Sequence, residues 1–206
     1  MITIGITGII GSGKTTVSAL LKQAGFTIVD LDNLAKEVSD SPQVKEDMRS
    51  IFGGTCVRDD LTVDVEALRT LVFKDKENLK RLEHIVHPRL LEEMEKRIAA
   101  EREGEAKAVI IDGPLIFEKG LNKRLDKTVV VSAEMSLIKE RLLLRGMERE
   151  DMERRILHQM PLEEKERLAD YVIRNNGTEE DLRKELEILL EKIKTWEVED
   201  TCTLTN

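Results

Sequence analysis

The chain has 206 residues, a formal net charge of -8 and a hydrophobic content of 40%, which suits one compact α/β domain with an inserted subdomain rather than two large domains. The acidic balance argues against a general nucleic-acid or membrane-surface binder, so any basic phosphate site should be small and local. The sequence shows neither the roughly 18 apolar residues of a membrane span nor an apolar signal core near its amino terminus, so we expect a cytoplasmic protein.

The amino-terminal segment predicts a strand, a glycine loop, a helix and a second strand. "ITIGIT" is a β-branched run, and apolar residues at helical spacing predict a helix over Thr15–Ala24. "FTIVD" predicts a strand that ends at Asp30, and a helical pattern resumes near Leu31. Parallel strands with a right-handed crossover end at the same edge of a sheet, so we expect Asp30 and Asp32 to emerge near the glycine loop.

The middle of the chain favours helices alone. From about Pro42 to Arg102 the pattern predicts helical pieces around residues 44–52, 65–72, 78–85 and 88–100, broken by "FGG" and "HP". We therefore expect a helical insertion here. Cys56 lies within it and Cys202 near the carboxyl end, and neither has a metal-ligand spacing, so both are expected to be ordinary thiols.

Strands return in the second half of the chain. "AVIID" and "KTVVVS" are nearly continuous apolar runs, which are typical of strands buried on both faces of a parallel sheet, and "YVI" predicts a last strand. A helix is predicted over Met135–Leu144, before the charged stretch "RGMEREDMERR". The final helix opens with Thr178 and Asp181 at capping-box spacing, and we expect the tail after Trp196 to be loose.

The glycine loop carries the clearest chemistry. Its pattern is G-x-x-x-x-G-K-[ST] in a strand-to-helix context, formed by Gly8, Gly13, Lys14 and Thr15, with a further glycine at Gly11. In such a loop the backbone N–H groups and the helix amino terminus bind phosphate, the lysine reaches the β- and γ-phosphates, and the hydroxyl binds Mg²⁺. The motif therefore predicts a nucleoside triphosphate site.

Other charged residues have a functional and a structural interpretation. Asp112 ends a predicted strand beside the loop, where it could serve the metal or be a turn residue. Asp30 and Asp32 could meet an acceptor hydroxyl, although one of them could be a helix N-cap. Arg141 and Arg145 are four residues apart on one helix face, where they could reach a polyphosphate or lie at the surface.

Seven segments in order resemble the dephospho-CoA kinase family over nearly the whole chain. They are "GITGIIGSGKTTV", "VDLDNLAKEV", "FGG", "HIVHPRL", "VIIDGPLIFE", "ILHQM" and "ADYVIRNNG". The resemblance implies a P-loop nucleotide-kinase-like fold, a parallel sheet flanked by helices, with a core over about residues 1–32, 104–140 and 166–197. It also implies a helical substrate-binding insertion over about 33–103 and a lid over about 141–165.

The implied activity is ATP-dependent phosphorylation of the 3′-hydroxyl on the ribose of dephospho-CoA, with Mg²⁺ as the metal. By resemblance Asp32 is the catalytic base, Arg141 faces the ATP phosphates with Lys14, and Thr15 and Asp112 serve the metal. The ATP site is formed by Gly11, Ser12, Gly13, Lys14, Thr15 and Thr16. His87, Phe117 and Glu118 are expected on the acceptor side with Asp32, although His87-Pro88 also suits a helix start. Gln159 and Asn175 match recurring family positions without an assigned role.

The chain departs from the family pattern at a few positions. Ile9 stands where the family usually has a second loop glycine, so its backbone has to be unstrained. Thr15 replaces a common serine and keeps the hydroxyl, and Arg145-Gly146 replaces an Arg-Asp pair in the lid. We expect no nucleic-acid or membrane partner, and a monomer or a weak homo-oligomer.

Three other functions are compatible with the loop. A nucleoside monophosphate or sugar kinase would share the fold, and a substrate panel separates these from the first interpretation. A GTPase-like switch lacks support because no N-K-x-D segment follows the later strands. A pure nucleotide-binding module would result if Asp32 were only a helix cap.

Overall fold

The computed structural model describes residues 1–104 and 106–203. Its sheet has five strands in the order β2-β3-β1-β4-β5. The strands are β1 (Ile2–Thr7), β2 (Thr27–Asp30), β3 (Ala108–Asp112), β4 (Lys127–Ser132) and β5 (Tyr171–Arg174). β1 pairs in parallel with β3 and β4, and β4 pairs in parallel with β5. The predicted α/β fold with a parallel sheet is confirmed, and β3 rather than β2 is the neighbour of β1.

Helices connect and flank the strands. They are α1 (Lys14–Gln23), α2 (Leu31–Asp40), α3 (Pro42–Phe52), α4 (Val65–Lys74), α5 (Lys76–Glu103), α6 (Met135–Leu144), α7 (Arg149–Leu157), α8 (Leu162–Leu168) and α9 (Glu179–Thr203), with a short 3-10 helix at Leu121–Arg124. None of the helices in the described ranges combines the length and apolar character needed to cross a bilayer.

The last helix confirms one expectation and corrects another. Thr178 and Asp181 form the predicted capping box, because the Asp181 carboxylate accepts from the Thr178 backbone N–H at 2.9 Å and the Thr178 hydroxyl accepts from the Asp181 N–H at 3.2 Å. The prediction of a loose tail after Trp196 is wrong, since α9 continues to Thr203. The sequence "EVEDTCT" contains no Gly or Pro to end the helix earlier.

The chain divides into two compact units, of which the first comprises Met1–Val29 and Ala100–Asn206. Successive strand residues point to opposite sides of the sheet, and apolar clusters cover both of its faces. Val129 and Val131 pack with α1 and α9 in one apolar cluster, while Val130 packs with α6, α7 and α8 in another. This burial fixes the strand ends that carry the phosphate loop and Asp112.

The second unit, Asp30–Ala99, is helical. Its apolar core joins α2, α3 and α5 through Val38, Val44 and Ile85. A single antiparallel bridge, Val57 with Val63, is its β pairing in the described residues. Cys56 is a free buried thiol in this core, whereas the side chain of Cys202 lies outside the described part of the chain.

The expected break at "HP" is wrong. α5 runs without interruption from Lys76 to Glu103, with Pro88 inside it. A proline inside a helix removes one N–H donor and costs about 3 kcal/mol. Here Ile85 before the proline and Met94 and Ile98 after it are all buried. Apolar packing on both sides of Pro88 therefore offsets the lost hydrogen bond and keeps the two halves in one helix.

Candidate active site

The phosphate loop joins β1 to α1. It runs from Gly8 to Gly13, and Gly13 is the N-cap of α1 with φ 101°. The N–H groups in the first turn of a helix have no acceptor within that helix, so the amides at Lys14 and Thr15 are available to a phosphate oxygen. The motif predicted a helix start at the phosphate loop, and α1 does begin at the motif lysine, Lys14.

Two glycines of the loop are required by close contacts. A Cβ atom on Gly8 would lie 2.5 Å from the Val131 carbonyl oxygen, and one on Gly13 would lie 2.0 Å from Asn175 Nδ2. Gly13 also has the positive φ that side chains other than glycine rarely adopt. The loop is consequently packed directly against β4 and the residue after β5.

The backbone at Ile9 is unstrained. Among the described residues, Leu61 is the single non-glycine residue with positive φ, so Ile9 does not need the left-handed region. Its side chain is buried in the apolar cluster that includes Phe117, Ile138 and Leu142. The isoleucine therefore anchors the start of the loop to the core on the α6 side of the sheet.

Lys14 and Asp112 form an ion pair. Asp112 ends β3 and lies opposite Ile6 of β1 in the parallel register, next to the strand that leads into the loop. The Lys14 ammonium contacts the Asp112 carboxylate, and their side chains are 18% and 7% exposed. The structure thus brings together the predicted phosphate-binding cation and the predicted metal-side carboxylate.

Arg141 lies in the last turn of α6. Its Nη2 donates to the Asn175 carbonyl oxygen at 2.9 Å. Its Nη1 is buried and has no hydrogen-bond partner among the described residues. A buried guanidinium N–H without an acceptor is costly, and a phosphate oxygen is an acceptor that would satisfy it. This orphaned donor fits the predicted contact with a nucleotide phosphate.

Gln159 and Asn175 contact the phosphate loop. Gln159 Oε1 accepts from the Ile10 backbone N–H at 2.9 Å, and Asn175 Nδ2 donates to the Ser12 carbonyl oxygen at 2.8 Å. The sequence marked both positions only through the family resemblance. Neither contact could be found from local pattern, because each joins residues about 150 positions or more apart.

A buried lysine near the site was missed by sequence reasoning. Lys165 on α8 is fully buried, although "LEEKERL" has the composition of a solvated helix. Its ammonium donates to the Pro114 carbonyl oxygen at 2.7 Å and to Glu118 Oε2 at 3.0 Å, and it lies 2.8 Å from Glu118 Oε1. Glu118 also accepts from the Met160 N–H at 2.9 Å.

The surroundings of Lys165 shift the pKa of its ammonium group. Burial lowers the pKa of Lys165, the Glu118 carboxylate opposes that shift, and the nearby Lys14 ammonium adds to the lowering. Glu118 is therefore committed to an ion pair that joins α8 to the loop after β3.

Phe117 is 7% exposed and belongs to the core cluster around Ile9. The acceptor-side role of Phe117 and Glu118 stays a prediction.

Three predicted site residues belong to the second unit. Asp30 is the N-cap of α2, and its carboxylate accepts from the backbone N–H groups of Asp32 and Asn33 at 2.9 and 3.0 Å. Asp32 lies in the first turn of α2 and is exposed. His87 is half-buried inside α5 rather than at a helix start. Of the two carboxylates, Asp30 has the capping role and Asp32 is left as the candidate base.

The site residues suit a metal that is bound mainly through a ligand. In the described ranges, no three His, Cys, Asp or Glu side chains cluster to hold a metal ion. Thr15 is exposed in the first turn of α1, and Asp112 is at the adjacent strand end. A hydroxyl and one carboxylate are oxygen ligands of the kind Mg²⁺ uses when substrate phosphates and waters supply the rest.

A parallel sheet with a glycine loop, a helix-terminal lysine and a strand-end aspartate beside it defines a P-loop nucleotide-binding protein. A family model for dephospho-CoA kinase matches residues 2–181. The chain is 38% identical over 191 residues to dephospho-CoA kinase of Aquifex aeolicus, covering 92% of this chain and 96% of that protein. The corresponding Thermus thermophilus protein is 41% identical over 196 residues, covering 93% and 92%.

Solved structures agree with the sequence relatives. The Thermus thermophilus protein TT1252 superposes with a TM-score of 0.81 at 39% identity, covering 93% of this chain and 97% of that one. Dephospho-CoA kinase from Campylobacter jejuni gives a TM-score of 0.71 at 25% identity, covering 93% and 96%. The chain belongs to the dephospho-CoA kinase family.

Proposed function

We propose that the protein transfers the γ-phosphoryl group of ATP to the 3′-hydroxyl on the ribose of dephospho-CoA, giving coenzyme A and ADP. The observation that carries the phosphoryl-transfer step is the arrangement of Lys14, Asp112 and Arg141 around one glycine loop. The family supplies the acceptor, since the matched model and the curated relatives are dephospho-CoA kinases. A cytoplasmic location and a monomeric or weakly oligomeric state stay predictions.

The nucleotide end of the site uses the first unit. The loop from Gly11 to Thr16 binds the phosphates with backbone N–H groups such as those of Lys14 and Thr15. Lys14 exchanges its contact with Asp112 for the β- and γ-phosphates, and Arg141 Nη1 gains an acceptor. Thr15 and Asp112 would hold Mg²⁺ directly or through its waters. When bound, this metal neutralises charge on the phosphate oxygens.

The acceptor end uses Asp32. A ribose hydroxyl is a poor nucleophile, and a carboxylate within about 3 Å of it can orient the hydroxyl and take its proton as the O–P bond forms. The support for Asp32 over Asp30 is that the Asp30 carboxylate already caps α2. His87, Phe117 and Glu118 are proposed on the acceptor side, and residues 141–165 as the lid, by family resemblance.

The direct test is turnover with a panel of acceptors. The purified protein is incubated with ATP, Mg²⁺ and either dephospho-CoA, a nucleoside monophosphate or a sugar. ADP release and the position of the new phosphate are then measured by ³¹P NMR. We expect a 3′-phosphate on dephospho-CoA alone. Turnover of another acceptor in preference to dephospho-CoA would contradict the proposal.

The role of Asp32 is tested with a matched pair of variants. Asp32→Asn keeps the size of the side chain but cannot take a proton, so we expect kcat to fall by roughly 10²-fold or more with near-normal binding of ATP and dephospho-CoA. Asp30→Asn is the control, because Asn caps a helix about as well as Asp. If calorimetry shows that Asp32→Asn no longer binds dephospho-CoA, Asp32 positions the acceptor first. If Asp30→Asn is the inactive variant, the base is wrongly assigned.

A further inference from the structure

Two carboxamide side chains form hydrogen bonds with the phosphate loop, and neither has a role in the proposed phosphoryl transfer. Gln159 lies between α7 and α8, and Asn175 directly follows β5. They bond to Ile10 and Ser12, which flank Gly11 in the loop. The bonded atoms are main-chain groups of the loop, so the contacts constrain its backbone conformation.

Asn175 also connects the loop to Arg141. Its side chain is 8% exposed and donates to the Ser12 carbonyl, while its own carbonyl oxygen accepts from Arg141 Nη2 at 2.9 Å. Its backbone N–H donates to the Ser132 carbonyl at 2.7 Å, which fixes the residue at the end of β4. One residue thereby joins a rigid strand end, the phosphate loop and the arginine with the orphaned donor.

We propose that Gln159 and Asn175 are positioning residues that hold the phosphate loop in its nucleotide-binding conformation, and that Asn175 also sets the position of Arg141 relative to that loop. A loop that contains Gly11 and Gly13 at positive φ has more conformational freedom to lose than other sequences. Hydrogen bonds from outside the loop oppose that freedom before the nucleotide arrives, which is the physical basis of preorganisation.

The direction of each hydrogen bond is fixed by its partner. The Ile10 N–H can only donate, so Gln159 presents its oxygen, and the Ser12 carbonyl can only accept, so Asn175 presents its nitrogen. An amide-to-acid change therefore has opposite effects at the two positions. Gln159→Glu keeps an acceptor for Ile10, whereas Asn175→Asp loses the donor and sets a carboxylate against the Ser12 carbonyl oxygen.

This asymmetry supplies the test. Asn175→Asp and Gln159→Glu each add one negative charge near the loop, so the number of charges is matched, while Asn175 is buried and Gln159 is half-buried. Gln159→Met keeps the length of the side chain but removes the acceptor. ADP affinity is measured by calorimetry, and kcat and KM for ATP are measured per mole of folded protein, with Trp196 fluorescence as the folding monitor.

We expect Asn175→Asp to lower kcat/KM for ATP by about 10- to 100-fold, the range that follows from leaving a buried polar group unsatisfied. Gln159→Met should lose activity and ADP affinity in the same direction, and Gln159→Glu should recover most of that loss. Equal losses in Asn175→Asp and Gln159→Glu, or no recovery from Met to Glu at position 159, would overturn the proposal. If Asn175→Asp does not fold, the two variants at Gln159 decide.

The inference rests on the proposed function only for its turnover measurement. Should the parent protein bind ADP without phosphorylating dephospho-CoA, the proposed function fails while the ADP affinities of the variants still test the two residues. Should the parent turn over normally and the variants match it in affinity and rate, the positioning role fails alone.

Discussion

Replacing Lys165 tests how much the buried ion pair with Glu118, which sequence reasoning missed, contributes to stability. Lys165→Met keeps much of the apolar stem but removes the ammonium that contacts Pro114 O and both oxygens of Glu118. The lysine is fully buried, and the Glu118 side chain is 18% exposed. Breaking a buried pair by removing one partner leaves an uncompensated charge and costs about 3–5 kcal/mol.

A second variant separates the lost pair from the lost packing. In Lys165→Met with Glu118→Gln, the neutral amide oxygen can still accept from the Met160 N–H, and no unpaired carboxylate remains. We therefore expect the double variant to be more stable than Lys165→Met alone, by about 1–3 kcal/mol. Lys139→Met on the exposed surface of α6 is the control, with an expected change within about 0.5 kcal/mol.

The assay is urea unfolding, monitored by the fluorescence of the single tryptophan. Trp196 is 6% exposed and belongs to the apolar cluster in which α1 and α9 pack on the sheet. It lies in the same compact unit as Lys165. With an m value of about 2 kcal/mol/M, the expected loss moves the midpoint down by about 1.5–2.5 M. A Lys165→Met midpoint close to that of the control, or a double variant that loses more than the single one, would refute the reasoning.

The parent protein and Lys165→Met should differ in unfolding free energy by an amount that changes with pH in a definite direction. Burial lowers the pKa of Lys165 below its ordinary value of 10.5. Between the lowered pKa and 10.5 the unfolded chain binds more protons than the folded one, so stability rises with pH. The unfolding free energy of the parent minus that of Lys165→Met should increase from neutral pH to about pH 10. A flat or falling difference would contradict the assignment.

Two further predictions concern the nucleotide phosphates. Lys14→Ala should reduce kcat by about 10²-fold or more with the fold retained by circular dichroism, because the cation at the β- and γ-phosphates is lost; unchanged turnover in the purified variant would disprove it. Arg141→Ala should lower kcat more than it raises KM for ATP, since charge contacts that strengthen as the phosphoryl group leaves act on the transition state. A pure KM effect in steady-state kinetics would show that Arg141 only holds ground-state nucleotide.

Local sequence was sufficient for the elements that carry the loop. β1, the glycines and α1 were predicted nearly to their observed bounds, because a β-branched run, a turn motif and an apolar pattern of period 3.6 are all local signals. The same signals found β3 with Asp112 at its end. They failed at Pro88, where a local breaker was overruled by packing of Ile85 and Met94 on either side.

The sequence alone thus determined the fold class, the phosphate motif and the residues that could perform phosphoryl transfer. The cap of α2 by Asp30 is a local contact with the next two to three residues. Tertiary structure decided which charges are committed to distant partners: Glu118 to Lys165, and Lys14 to Asp112. It also decided that Asn175 hydrogen-bonds to the loop, through a contact that spans 163 residues. Such pairings depend on strand order and burial, and these arise only when segments distant in sequence exclude water together.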